Sequence, residues 1–463
     1  RLPECALNEN HMNHLSLSFI CQALNLTAPT KDAEVKRIVT DSRDIRAGDV
    51  FVALAGEYFD AHDFVADVLD KGALAAIVAR EDCAALSGSL KVDDTLVALQ
   101  QLASAWRLHI NPFVFGITGS SGKTTVKEML AAILCHAFGA ETVLATAGNF
   151  NNHIGLPLTL LNLKPQHRYA VIEMGMSHSG ELAELTRIAR PDVALVNNAL
   201  RAHIGCGFDG VGDIAKAKSE IYQGLPENGL AWLPAESNYL NIFQVACADL
   251  NTQTFGAEQG DLHAENIILN PLSCCFELIY KSERTVVNLP APGLHNVYNA
   301  CAATALSLSA GLDLDQIAAG LATFANIKGR LQVKQGANGA QILDDTYNAN
   351  PDSMKAALDV LARLPAPRVF VMGDIGELGE NESAAMHAEV GAYAREKGLA
   401  QAYFLGQFCE AAASEFGEKG CHFDDKATLI ATLQQRLPEH ASILVKGSRF
   451  MKMEAVVEAL LKI

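Results

Sequence analysis

The stretch "FVFGITGSSGKTTVKEML", residues 113–130, constrains this chain more than any other. A short apolar run ends in small, turn-forming residues. These pass into a segment whose apolar side chains, Val126, Met129, Leu130, Ile133, Leu134 and Ala137, recur at helical spacing. A strand that hands over to a helix through such a turn aims several backbone N–H groups at one point, and the positive end of the helix reinforces them. The pattern therefore predicts an anion-binding loop at the carboxyl end of a buried strand. Lys123 would neutralise phosphate and Thr124 would offer a hydroxyl to Mg²⁺. The standard spacing G-x-x-x-x-G-K-[ST] demands glycine at position 117, yet the chain has Ile117. No N-K-x-D base-reading motif of GTPases occurs either.

The surroundings fit an α/β protein. "YAVIEMGM" and "DVALVNNA" are further buried strands alternating with helices, the pattern of a parallel sheet covered on both faces. From about Asn266 to Leu289 the runs "NIILN", "CCFELIY" and "RTVVNL" read as antiparallel strands, and a helix follows from about Val297 to Ala310. The length of 463 residues suggests three domains at ~150 residues each. The composition divides them at 1–93, 94–328 and 329–463. The first block carries strands "DVFVAL" and "AAIVA" around a helical stretch from Phe64 to Lys71. The third carries "QILDDTY", "RVFVMGD", "AYFLG" and "SILVKG" with helices between, a doubly wound, Rossmann-like arrangement. It has no G-x-G-x-x-G, since "GDIGELG" has the wrong spacing, so no dinucleotide cofactor is inferred.

At 49% hydrophobic residues the chain can build real cores, and its formal charge of -17 argues against nucleic acid or an acidic membrane surface as partner. The 11 cysteines are scattered, with no C-x-x-C, as expected for buried thiols in a reducing cytoplasm. No secretory signal opens the sequence. Leu289–Leu312 lacks charge but contains prolines, a histidine and asparagines, so it reads as a loop and a packed helix rather than a membrane span. Residues 1–11 carry no clear pattern before Met12, which would be the natural start.

Beyond the loop, Glu173 stands near the carboxyl end of its apolar strand, where ligands gather in open α/β sheets. A carboxylate there needs a compensating cation, either a magnesium ion or a paired Lys or Arg. His203 follows the next strand, in "NNALRAHIG". The segment "VGDIAKAKSEIYQGL" predicts a helix with Ile214, Ala217, Ile221 and Leu225 in one stripe. Lys218 lies on that stripe and Lys216 away from it, so Lys218 points inward, either desolvated with a proton that leaves more easily or snorkelling, its stem covering apolar surface.

Taken in order, "TDSRDIRAGDVFVAL", "TGSSGKTTVKEM", "AGNFNNHIGLPLTLL", "VIEMGMSHSGE", "AKAKSEIYQGLPENG", "GLHNVYNACAA", "DDTYNANPDSM" and "LVKGSRFMKME" make the chain resemble the Mur ligase family from about Met12 onward. The shortened phosphate loop with Ile117 is normal for that family. The resemblance implies that Gly119, Ser120, Ser121, Gly122, Lys123, Thr124 and Thr125 hold the phosphates of ATP. It implies two Mg²⁺ ions, with Thr124 and Glu173 at the first and His203 at the second. Lys218 matches the lysine that the family carbamylates with CO₂. Asn296 and Asn299 would lie beside adenine, Arg330 by the γ-phosphate and Asp345 at the ribose. Ser42, Arg43, Asp60 and His62 lie in strings resembling the UDP-sugar-binding first domain. Asn149 and Asn152 would face the incoming peptide, and Lys446 and Arg449 the reaction centre. The chain departs from the family's A-H-L-E after the third strand: it reads "AHIGCGFDG", with Gly205 for the glutamate and an altered loop length.

The implied chemistry is activation of a carboxylate by ATP to an acyl phosphate, attack by an amine and release of phosphate. The implied substrates are UDP-N-acetylmuramoyl-tripeptide and D-alanyl-D-alanine, in cytoplasmic synthesis of the peptidoglycan precursor that supports cell shape and division. A monomer without membrane insertion is expected. A sibling ligase adding meso-diaminopimelate would usually carry D-N-P-R in the third domain, which is absent here. A folylpolyglutamate synthetase would lack such a first domain. A P-loop protein that merely hydrolyses ATP would turn it over without carboxylate or amine.

Overall fold

A computed structural model describes residues 14–325 and 327–461. The expectation for Met12 lies outside the described residues. Three sheets follow one another along the chain, and strand patterning explains each.

The central sheet has nine strands. Val143–Ala145, Tyr169–Glu173, Phe113–Thr118, Val193–Val196, Leu230–Pro234 and Asn251–Phe255 run parallel in that spatial order. Leu262–Leu269, Cys274–Tyr280 and Glu283–Leu289 extend it as an antiparallel meander. Alternate side chains of the parallel strands enter different cores: Val114, Ala170, Ile172 and Val196 face one way, and Phe115, Ile117, Val171 and Leu195 the other. With both faces covered, the strands read as unbroken apolar runs. Ile117 is fully buried in one of these cores, which is why this position carries a large apolar residue and the glycines of the loop itself begin at Gly119, after the strand ends.

The third sheet pairs Gln341–Asp345, Ser442–Lys446, Arg368–Gly373, Gln401–Leu405 and Gly420–Phe423 in parallel, with Gln332–Gln335 antiparallel at one edge. The first sheet is four parallel strands: Arg37–Val39, Asp49–Val52, Ala75–Val78 and Ser89–Lys91. The fold is thus α/β throughout, with a parallel central sheet and a Rossmann-like C-terminal one.

Three sequence expectations are corrected. The helix beginning at Val211 is α-helical only to Ser219; Glu220–Gly224 is a tighter 3₁₀ turn, and Leu225 is extended with ψ 144° and only half-buried. The antiparallel strands begin at Leu262 rather than about Asn266. The segment from Phe64 to Lys71 splits into a 3₁₀ turn, Ala61–Phe64, and a helix, Val65–Asp70. The helix Leu294–Ser309 forms as an ordinary packed helix, and no helix among the described residues is long and apolar enough to cross a membrane. The described cysteines are free thiols, most of them buried.

Candidate functional site

The carboxyl ends of the central and third sheets face each other across a cleft of about 1500 Å³. The strand Phe113–Thr118 runs into the loop, and the helix Lys123–Phe138 leaves from it. The first-turn amides of that helix have no acceptors within it and are available to an anion. Gly122 has φ 77°, and a Cβ there would stand 2.4 Å from Asn299 Oδ1 and 2.6 Å from Asn197 Nδ2. Only glycine fits. Lys123 Nζ donates to Gly119 O at 2.7 Å, curling back over the loop. Desolvation at the cleft floor holds its pKa below the ordinary lysine value, opposed by the charge of Glu173.

Two residues that sequence reasoning missed frame the loop. Asn197 Nδ2 donates to Ser121 O at 2.9 Å and to Asn299 Oδ1 at 3.0 Å. Asn198 Oδ1 accepts from Ser121 N at 2.9 Å. The "NN" at the end of "DVALVNNA" was the available signal, polar residues at the mouth of an apolar strand. Asn299 Nδ2 in turn donates to Asn296 Oδ1 at 3.2 Å, and Asn296 Nδ2 to Pro292 O at 2.8 Å.

Glu173 is buried beside the loop, in register with Ile117. Its Oε1 accepts from Asn151 Nδ2 at 2.8 Å, while Oε2 is buried with no hydrogen-bond partner. Among the described residues no lysine or arginine forms an ion pair with it. An orphaned carboxylate oxygen beside a phosphate-type loop fits a divalent cation held by oxygen ligands. Thr124, in the first turn of the helix that leaves the loop, lines the same cleft. Its hydroxyl accepts from Arg330 Nη2 at 2.8 Å, and the Arg330 guanidinium lies 4.4 Å over the Tyr347 ring.

His203 lines the cleft with φ 63°, its Nδ1 3.5 Å from Glu377 Oε2. Desolvation pushes its pKa down, with Glu377 opposing and the charges of Lys218 and Lys123 adding to the fall. Lys218 is buried, at 2% exposure, and burial depresses its pKa far below the usual lysine value. Its neighbour Lys216 is 70% exposed and pairs with Asp213 at 3.5 Å. The helix therefore sorts the two lysines as the apolar stripe predicts, although Lys218 is not itself among the residues lining the cleft.

From the third sheet, Asp345 and Lys446 sit opposite each other in parallel register and pair at 2.6 Å. Lys446 also donates to Asn348 O at 2.9 Å. Asn149, Asn152 and Arg449 line the same cleft; Asn152 Oδ1 accepts from Gly155 N at 2.8 Å, at the start of the helix Gly155–Leu160, and Arg449 pairs with Glu454 at 3.0 Å. Ser42, Arg43, Asp60 and His62 are not in it. Arg43 is exposed and paired with Asp41 at 2.7 Å. His62 is buried with Nδ1 2.6 Å from Asp60 Oδ1, while Nε2 accepts from Ala79 N at 2.8 Å. Both ring nitrogens are engaged within the first sheet's own structure.

A phosphate-type loop at the mouth of a parallel sheet, an unpaired carboxylate beside it and a second α/β unit closing over both define an enzyme of nucleotide-driven group transfer. The chain belongs to the Mur ligase family. Its residues 34–107 match the Mur ligase family catalytic domain, 117–307 the Mur ligase middle domain and 329–449 the Mur ligase glutamate ligase domain. It is 43% identical to the UDP-N-acetylmuramoyl-tripeptide–D-alanyl-D-alanine ligase of Haemophilus influenzae, over 93% of this chain and 94% of that one. Its structure is similar to that of MurF from Acinetobacter baumannii, at a TM-score of 0.89 and 40% identity, covering 96% and 98% of the two chains. It is also similar to the MurF ligase of Thermotoga maritima in complex with ADP, at a TM-score of 0.82 and 31% identity, covering 92% and 97%.

Proposed function

We propose that the chain is an ATP-dependent ligase that adds D-alanyl-D-alanine to UDP-N-acetylmuramoyl-tripeptide in peptidoglycan precursor synthesis, working as a monomer in the cytoplasm. The 43% identity to an enzyme of that name along nearly the whole of both chains carries the reading. The cleft supports it with the groups such chemistry needs.

A carboxylate is inert toward an amine because its oxygen leaves poorly, so ATP must first convert it to an acyl phosphate. In this reading the loop Gly119–Thr125 and Lys123 bind the transferred phosphoryl group, and Arg330 meets its outer oxygens. Asn296 and Asn299 face the base and Asp345 the ribose. Thr124 and Glu173 would hold one Mg²⁺, and His203 with Lys218 would serve a second. These ions supply charge neutralisation during phosphoryl transfer. Lys218 suits carbamylation, because a buried neutral amine captures CO₂ and the resulting anion can face a cation. The first unit, with Ser42, Arg43, Asp60 and His62, would carry the UDP-sugar. Asn149, Asn152, Lys446 and Arg449 would lie along the path of the amine, and the third unit would hold the dipeptide and exclude water.

The test is a coupled assay for ADP release. It is expected to require UDP-N-acetylmuramoyl-tripeptide and D-alanyl-D-alanine together. Rapid turnover of ATP with neither present contradicts a ligase and favours a simple ATPase; preference for meso-diaminopimelate as the amine identifies a sibling.

A further inference from the structure

The turn between the strand Arg368–Gly373 and the helix Glu380–Glu396 is held from three sides. Ile375 N donates to His387 Nε2 at 2.9 Å and Gly376 N to Ser448 Oγ at 2.8 Å. Gly379 N reaches across the cleft to Ile204 O at 2.8 Å. Beneath it, Asp374, His387 and Cys409 are close enough to suggest a metal site. His387 Nε2 is already an acceptor, however, its Nδ1 faces Ser383 O at 2.6 Å, and Asp374 Oδ1 accepts from Cys409 N at 2.9 Å. With Nδ1 donating and Nε2 accepting, the imidazole has no lone pair left for a metal. The trio braces the turn.

What the brace presents is Glu377. Its backbone is left-handed, φ 61°, a conformation that side chains other than glycine rarely adopt. Such strain persists where surrounding structure imposes it, commonly at functional sites. The carboxylate is more than half exposed into the cleft, with Oε2 3.5 Å from His203 Nδ1 on the opposite wall. The charge of Glu377 is also felt at Lys123. Gly205 makes this approach possible. It has φ 76°, and a Cβ on it would stand 2.6 Å from Gly379 Cα, so the two walls touch backbone to backbone.

We infer that Glu377 is a positioning residue for the ligase reaction, delivered to His203 only when the third unit is shut against the central one. The inference rests on the ligase reading. A histidine that serves a metal through one ring nitrogen is usually oriented by a carboxylate at the other. Here that carboxylate comes from a different sheet, so closure and assembly of the metal site become one event.

The experiment compares the full-length protein with Glu377→Gln, Glu377→Asp and Glu377→Gly. Amide formation, its Mg²⁺ dependence and thermal unfolding are measured for each. Glu377→Gln is expected to lower kcat by about 10- to 100-fold and to raise the Mg²⁺ concentration for half-maximal rate, with the KM for ATP little changed. Glu377→Asp keeps the charge and recovers part of the loss. Glu377→Gly relieves the left-handed backbone, so its Tm is equal to or above wild type while its activity falls as far as that of Glu377→Gln. Normal kcat in the Gln and Gly variants, or activity lost only in step with Tm, overturns the inference. A wild type that forms no amide removes the ligase reading instead. The Mg²⁺ concentration that ADP binding requires, read by calorimetry, then tests Glu377 separately, and equal Mg²⁺ midpoints for wild type and Glu377→Gln overturn it.

Discussion

The first and third sheets meet the central one in opposite ways. At the first junction a single apolar core runs through both sheets. Val50, Val52, Ala75 and Ile77 of the first sheet pack with Leu99, Leu102 and Trp106 of the helix Thr95–Ile110, and these with Leu156, Leu160 and Met174 of the central unit. Thr95 Oγ1 donates to Ala53 O at 2.8 Å, and Trp106 Nε1 to Leu163 O at 3.0 Å. At the second junction each partner keeps its own core, the partly buried Met386 and Leu272 pack across onto the other's, and the named contacts are mainly polar. Arg201 pairs with Asp352 at 2.6 Å and with Glu389 at 2.7 Å, Arg330 bonds Thr124, and the Gly205–Gly379 approach buries no side chain. Apolar burial resists opening whatever is bound. Charged contacts with water close by are easily exchanged, and modest polar interfaces are where domains move. The first junction therefore sets stability and the second sets access to the cleft.

The strongest way to break this contrast is Trp106→Ala. Trp106 is 2% exposed and meets Phe19 edge-on at 5.1 Å. Its loss is expected to cost about 3–5 kcal/mol. Calorimetry should show one lowered transition, with kcat per folded molecule unchanged. Two separate transitions in the wild type would mean that the core is not shared.

Arg201→Ala probes the other side. A part-buried ion-pair network of this kind is worth about 1 kcal/mol or less to stability, so Tm should barely move. Turnover should fall severalfold while ADP affinity holds. Nucleotide and UDP-sugar together are expected to make the wild type more compact in small-angle scattering, and the variant should need more ligand to reach that form. A scattering profile indifferent to both ligands would sink the second junction as a hinge.

The smallest effect is in pH. Hydrogen bonds from Arg201 hold Glu389 down to about 2, below its ordinary 4.5. A carboxyl whose folded pKa is depressed stabilises fully above its unfolded value and loses that contribution as pH falls through the folded one. The Tm difference between wild type and Glu389→Gln should accordingly be constant above about pH 4.5 and shrink from there toward pH 2. A difference that grows on acidification would reverse the assignment.

Much of this was legible in one dimension. The strands buried on both faces announced themselves as unbroken apolar runs, and helical spacing separated Lys218 from Lys216. Edge strands did not. Arg37–Val39, Ser89–Lys91 and Gly420–Phe423 are short and largely half-buried, so they carry too little apolar signal. The cleft itself was legible in the small-residue turn between strand and helix, and where a residue's chemistry is odd in its setting, as a glutamate in an apolar strand is. Asn197, Glu377 and the Gly205–Gly379 contact work through partners distant in sequence, and no local period encodes them.

The run of amides behind the loop has one more consequence. From Asn197 to Asn299, from Asn299 to Asn296 and from Asn296 to Pro292, every hydrogen bond is given by a side-chain nitrogen and taken by an oxygen, all in the same direction. Hydrolysis of one side-chain amide to an acid replaces a donor by an acceptor and sets two oxygens against each other in a buried place. Asparagines are among the residues that heat damages chemically. Ageing of the protein would therefore strike the amides behind the loop, where an unpaired buried carboxylate costs stability, while the side chains of the apolar cores stay chemically intact.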